Sequence, residues 1–175
     1  ESVTPAVLNE SWSVDWWLPR HRQKLEEKRQ LLAAGTSPEI VSIGDSITHN
    51  WEQHNKPLWD EFWGKYHALN LVYGGDRTEN VLWRLQHGEI DGIAPKVAVM
   101  MIGTNNTGFR MEDPKLLYAG IKRDIQEIRK RQPHAKLLLL AIFPRGEKSD
   151  DGLRVSNDKV NAMLAARQSP LLMVG

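Results

Sequence analysis

Apolar residues gather in five short blocks along the chain, at 39–43, 68–73, 96–102, 136–143 and 170–174, separated by turn residues and by longer polar segments. Blocks of this length, rich in Val, Ile, Leu and Met and without strict alternation, are the pattern of strands buried on both faces. Between them the period changes. Leu117, Ile121, Ile125 and Ile128 mark one face of a helix over 113–131 that Asp113-Pro114 opens, and Val81, Leu82 and Leu85 point inward from a helix capped by Thr78. A helix is also expected over 19–34, with Pro19 at its entry, Gly35 at its exit and Leu25, Leu31 and Leu32 as a narrow apolar stripe; another is expected over 157–167. Ile47 begins a further helical segment, and Trp59, Phe62 and Trp63 recur at helical spacing, which predicts that these rings join the core.

Strands alternating with helices pair in parallel through right-handed crossovers. The expected fold is therefore α/β, a three-layer doubly wound arrangement around a five-stranded parallel sheet. Residues 1–175 make one domain, with 1–18 an N-terminal arm that Trp12, Trp16 and Trp17 hold to the body or, alternatively, offer as an aromatic platform for sugars.

Composition narrows the function classes. Charged residues are 26% of the chain but the formal net charge is +1, so no broad field recommends a nucleic acid or an anionic membrane as partner. Cysteine is absent, which removes disulfides, thiolate metal sites and a cysteine nucleophile. No apolar run approaches a membrane span and no signal peptide is present. The compartment stays open; a secreted or periplasmic location after leader removal is favoured over the cytoplasm because the sequence starts at Glu1 rather than Met.

Chemistry-bearing residues stand where strands end. Gly44-Asp45-Ser46 follows the first strand, Gly74-Gly75-Asp76-Arg77 the second and Gly103-Thr104-Asn105-Asn106 the third. In an open parallel sheet, ligands bind outside these carboxyl ends. A serine there can attack an acyl carbon, while a glycine N–H and an asparagine amide donate to the resulting oxyanion. Asp45 shapes the turn, or caps the following helix, or meets substrate. Arg77 and Arg145 lie on loops at the same edge, as substrate contacts or in loop ion pairs. A narrow acyl pocket is expected if Trp51 or Trp83 closes it; the alternative is that both belong to the core. His49 follows the serine by three residues, with its ring expected to point away along the helix.

These blocks resemble the signature blocks of the SGNH (GDSL) hydrolases. Residues 74–85, Pro95-Lys-Val, Gly103-Thr-Asn-Asn106 and Pro144-Arg-Gly-Glu-Lys148 are similar, more narrowly, to esterases of the platelet-activating-factor acetylhydrolase catalytic-subunit type. The resemblance implies a flavodoxin-like fold and hydrolysis of small acyl esters, acetyl above all, without metal or cofactor. It assigns Ser46 as nucleophile and oxyanion donor, with Gly75 and Asn105 as the other donors. The family's Asp-x-x-His block, which supplies the general base and its orienting acid, has no counterpart among these 175 residues. The expectation is a truncated form of a longer hydrolase, impaired as it stands, whose last strand leaves sheet surface uncovered and is compatible with a homodimer. The substrate expected is a small-molecule or carbohydrate ester. The alternative is an inactive, hydrolase-derived binding module. A nucleotide-binding flavodoxin-like domain fits less well, since no Gly-x-Gly-x-x-Gly and no P-loop lysine follows any strand.

Overall fold

The five apolar blocks form one parallel sheet in a computed structural model of the chain, which describes residues 1–170 and 172–175. The strands are β1 (Ile40–Gly44), β2 (Leu69–Val72), β3 (Val97–Met101), β4 (Lys136–Leu139) and β5 (Leu172–Val174), in the order β2-β1-β3-β4-β5. The helices are α1 (Trp17–Ala33), α2 (Ser46–His49), α3 (Trp51–His54), α4 (Lys56–Phe62), α5 (Thr78–Gln86), α6 (Thr104–Arg110), α7 (Pro114–Arg131) and α8 (Gly152–Ala165). The strand order reverses at β1, which pairs with β2 on one side and β3 on the other. Gly44 is in register with both Val72 and Met101, so the loops after these three strands start level. Such a reversal point is where open α/β sheets bind ligands.

One face of the sheet is fully packed. Val41, Ile43, Leu69, Leu71, Ala98, Met100, Leu137 and Leu139 point into a single cluster with Val81 and Leu85 of α5, the Leu117-Ile121-Ile125-Ile128 stripe of α7, and Val160 and Leu164 of α8. Each fully buried aliphatic side chain contributes roughly 1.5–3 kcal/mol relative to exposure, which makes this cluster the main source of stability. The opposite face is covered less completely. There Ser42, Val99, Met101 and Leu140 look into a cavity of about 180 Å³ walled by Ile47, Trp51, Trp59, Trp63 and Phe143.

That cavity corrects one expectation. Trp59 and Trp63 stack on each other, with ring centroids 5.3 Å apart and planes 5° apart, but they line an open hollow instead of joining the core. Phe62 is 56% exposed. Helical spacing put the three rings near one side of α4, and across the hollow Trp59 and Trp63 face Trp51, Phe143, Val99 and Met101.

The N-terminal helix differs in a second way. Its inward face is Trp17, His21, Lys24 and Lys28, at intervals of four, three and four, and the expected stripe is only half-buried at Leu25 and Leu31 and exposed at Leu32. The inward residues meet polar groups: Trp17 bonds Asp76, and the Lys28 ammonium donates to the Gly88 and Asp91 carbonyls. Hydrophobic periodicity cannot detect a helix whose partners are buried carboxylates and loop carbonyls. Two boundaries also move. α8 begins at Gly152 because the Asp151 side chain caps it through the Leu153 N–H at 2.9 Å, and the 104–106 turn continues into a helix, α6. At α5, Thr78 is the first helical residue and not the cap; Asn80 Oδ1 accepts the Arg77 N–H and Asn106 Oδ1 accepts the Thr78 N–H.

Asp124 of α7 is fully buried, and neither of its carboxylate oxygens has a hydrogen-bond partner. Burial holds its carboxyl well above the usual range. Above pH 4 the unfolded chain releases this proton while the folded chain retains it, so this residue lowers stability as pH rises. An Asp124→Asn variant does not titrate there. Its stability relative to the parent is expected to increase between pH 5 and 7 by about 1.4 kcal/mol per pH unit for as long as the folded carboxyl stays protonated. Urea unfolding at several pH values reads this difference, and a pH-independent difference would contradict it.

Candidate active site

The serine turn is built by three residues with separate tasks. Gly44 ends β1 where a side chain has no room, since a Cβ would lie 2.6 Å from the Met101 carbonyl oxygen. Asp45 follows in extended conformation and is 1% exposed; its Oδ1 accepts the Ile47 N–H at 3.0 Å and so caps α2. Burial pushes this carboxyl up to about 6, against the pull of the Ile47 N–H and the charge of Arg145. That placement leaves Asp45 no surface for a substrate. Ser46 is then the first residue of α2 and is exposed. Its backbone N–H makes no hydrogen bond to a described residue.

The second loop is close to the first. A Cβ on Gly74 would stand 3.9 Å from Ser46 Cβ. The Gly74 N–H is already engaged, donating to His49 Nδ1 at 3.0 Å. This bond makes Nδ1 the acceptor and turns the ring toward the β2 loop. Gly75 is next, with φ +79° and an N–H that no described residue accepts. The Trp12 indole lies against this glycine, so that a Cβ would fall 2.1 Å from its ring.

A buried ion network fixes the same loop from below. Asp76 is fully buried and accepts from Trp17 Nε1 at 2.6 Å and Arg84 Nε at 2.9 Å, while the Arg84 guanidinium also pairs with Glu89 and lies 3.9 Å from the Tyr73 ring centre. Burial pushes Asp76 up to about 7, with Arg84 and the Trp17 N–H pulling the other way. Desolvation works against the Arg84 charge, but Glu89 and Asp76 outweigh it and hold the guanidinium above its ordinary range. With its side chain so held, Asp76 presents its carbonyl to Asn105, whose Nδ2 donates to it at 2.9 Å. One N–H of the Asn105 amide is thus used for positioning and the other is left for a ligand.

Ser46, Gly75 and Asn105 therefore stand on three loops that leave adjacent strands at one level and are tied together by named contacts. The remaining candidates are placed differently. Arg77 pairs with Glu10 at 2.5 Å and Glu79 at 3.7 Å and lies over the Phe109 ring, and Arg145 donates to the Thr104 carbonyl at 3.0 Å. Both guanidiniums brace loops. Trp83 packs among Trp17, His21 and His87, against the small buried cluster of Leu8, Trp17 and Tyr73, and Trp51 lines the apolar cavity. Among the described residues no cluster of His, Asp and Glu could hold a metal ion, and no helix is long and apolar enough to cross a membrane.

The sequence reading missed Arg84 and Glu89, and it took Trp12 as an anchor of the arm without foreseeing its contact with Gly75. An arginine at an inward position of α5 was a readable sign of a buried partner; nothing local signals that Trp12 reaches Gly75. Because that position combines positive φ with a filled Cβ site, Gly75→Ala is expected to twist the N–H away and displace the indole. Any ester hydrolysis should fall on the order of 100-fold, while the backbone strain lowers the unfolding midpoint by only a few degrees, since Trp12 is exposed and can swing aside. Initial rates beside a thermal melt test this, and an unchanged rate would exclude Gly75 from the site.

Known proteins resemble this chain in sequence and in shape. The family model for GDSL-like lipases and acylhydrolases matches residues 42–169. The chain is 35% identical over 165 residues to platelet-activating factor acetylhydrolase IB subunit alpha2 of Gallus gallus, covering 94% of this chain and 67% of that one. It is 38% identical over 163 residues to the subunit of the same name from Homo sapiens, covering 93% and 66%. The chain thus spans about two thirds of the length of the curated relatives it matches. A crystal structure of a GDSL-like lipase from Bacteroides thetaiotaomicron superposes with a TM-score of 0.65 at 16% identity, covering 88% of this chain and 77% of that one.

Proposed function

Because this chain belongs to the GDSL-like lipase/acylhydrolase family, we propose that it serves a serine esterase that removes small acyl groups, acetyl above all, from a carbohydrate or other polar alcohol through an acyl-enzyme. The observation that carries the reading is the level start of three loops, with Ser46 exposed on the first and unused N–H groups at Ser46 and Gly75. Ser46 Oγ attacks the acyl carbon and the carbonyl oxygen takes up negative charge. The N–H groups of Ser46 and Gly75 and the second Asn105 Nδ2–H donate to it, in an arrangement fixed before substrate arrives. Collapse expels the alcohol, and water releases the acyl group from Ser46 in a second addition and collapse. The acetyl preference draws on the relatives whose names are acetylhydrolases.

Serine needs a base to give up its proton. His49 Nδ1 accepts the Gly74 N–H, no histidine is bonded to Ser46 among the described residues, and Asp-x-x-His does not occur in the sequence. Residues 1–175 therefore supply the nucleophile and the charge-stabilising groups, and slow turnover is expected of this stretch alone. Asn105→Ala in the complete encoded polypeptide should lower kcat for p-nitrophenyl acetate on the order of 100-fold. An unchanged kcat would remove Asn105 from the site. If the protein is instead an inactive binding module, the parent shows no turnover above buffer.

A further inference from the structure

A cavity of about 530 Å³ opens beside the serine turn, lined by Asp15, Trp16, Arg20, Gln23, His49 and Gly74. Gly74 is part of its lining, and a Cβ there would be 3.9 Å from Ser46 Cβ. A group leaving a Ser46-bound intermediate on that side would enter this cavity directly. Its volume lies within the range of small-molecule sites, and it is shaped almost entirely by the N-terminal arm and α1.

The wall chemistry selects the occupant. Trp16 contributes a half-exposed indole whose orientation is fixed by its Nε1–H donating to the Trp12 carbonyl at 2.9 Å. Arg20 is likewise oriented, donating from Nε to the Val72 carbonyl at 3.0 Å and lying over the Tyr73 ring. Asp15 and Gln23 are exposed at the rim and supply both acceptors and a donor. An aromatic face with donors and acceptors around it suits a ring that is apolar on its C–H face and carries hydroxyls at its edge. A carboxylate at the rim disfavours a phosphate, and a long alkyl chain finds its apolar wall at the separate cavity of Trp51, Trp59 and Trp63.

We propose that this cavity is the alcohol subsite of the esterase and binds a neutral pyranose stacked on Trp16, with Asp15 and Gln23 bonding its hydroxyls. The proposal rests on the esterase reading for its orientation toward Ser46, but sugar binding can be read without turnover. The test titrates an acetylated methyl xyloside into the Ser46→Ala form of the complete encoded polypeptide by saturation-transfer NMR. Saturable binding is expected, weakened about tenfold by Trp16→Ala and about three- to tenfold by Asp15→Ala/Gln23→Ala, whose exposed positions leave the fold intact. Absence of saturable binding, binding indifferent to both sets of changes, or preferential binding of glycerophosphocholine would overturn it. Any of these results beside hydrolysis that depends on Ser46 strikes the subsite alone, whereas hydrolysis that ignores Ser46→Ala strikes the esterase reading.

Discussion

Ser46→Ala is expected to reduce ester hydrolysis by the complete encoded polypeptide by on the order of 10⁴-fold or more, leaving only the slow reaction of water at a carbonyl polarised by the remaining donors. The expectation comes from placement. Ser46 is the one hydroxyl-bearing residue at the exposed start of α2, next to Gly74 and to the unengaged Gly75 N–H. The neighbouring Thr48 hydroxyl lies toward Gly44 and the Asp45 carbonyl, on the sheet side of the turn. Alanine retains the backbone N–H and the Asp45 cap, so substrate binding and thermal stability should remain near those of the parent. Steady-state rates with p-nitrophenyl acetate, together with a melting curve, provide the measurement. Retained hydrolysis would exclude an acyl-Ser46 intermediate.

The second large effect falls on stability. Arg84 is fully buried between Asp76 and Glu89, and both carboxylates are themselves buried. Arg84→Met keeps much of the side-chain volume but leaves two carboxylates facing each other without a counter-charge. Removing one partner from such a site costs about 3–5 kcal/mol. For a chain of this size that corresponds to a fall in Tm of roughly 10 °C. Changing all three residues, Arg84→Met with Asp76→Asn and Glu89→Gln, removes the charges together and should recover a large part of the loss. Urea unfolding of the two variants separates these outcomes, and a loss below about 1 kcal/mol for Arg84→Met would mean that the carboxylates find another partner. Activity should fall as well, because the Asp76 carbonyl orients Asn105.

The sheet was legible because each strand is a nearly uninterrupted apolar block, and burial on both sides leaves a mark that no helix shares at such short length. Strand ends followed, since Gly44, Gly74-Gly75 and Gly103 punctuate those blocks, and the candidate serine, glycine and asparagine stand directly after them. What could not be read has one physical origin: contacts between residues distant in sequence that are polar or aromatic instead of aliphatic. The inward face of α1 is Trp17, His21, Lys24 and Lys28, and Trp17, His21 and Lys28 meet carboxylates and carbonyls more than fifty residues away. Trp59 and Trp63 carried the right spacing but face a hollow. Arg84 was visible as an inward residue, but only the folded chain shows that two acids converge on it.

The first dozen residues have a role beyond tethering. Ser2 is buried and bonded to Glu112 and to the Thr78 hydroxyl, the Ala6 carbonyl accepts from Asn80, and Trp12 ends the run against Gly75. The roof over Gly75, the proposed oxyanion donor, is therefore strung from the amino terminus along α5. A protease nick or bulky tag between Ser2 and Trp12 would alter the reactivity of a serine it never touches.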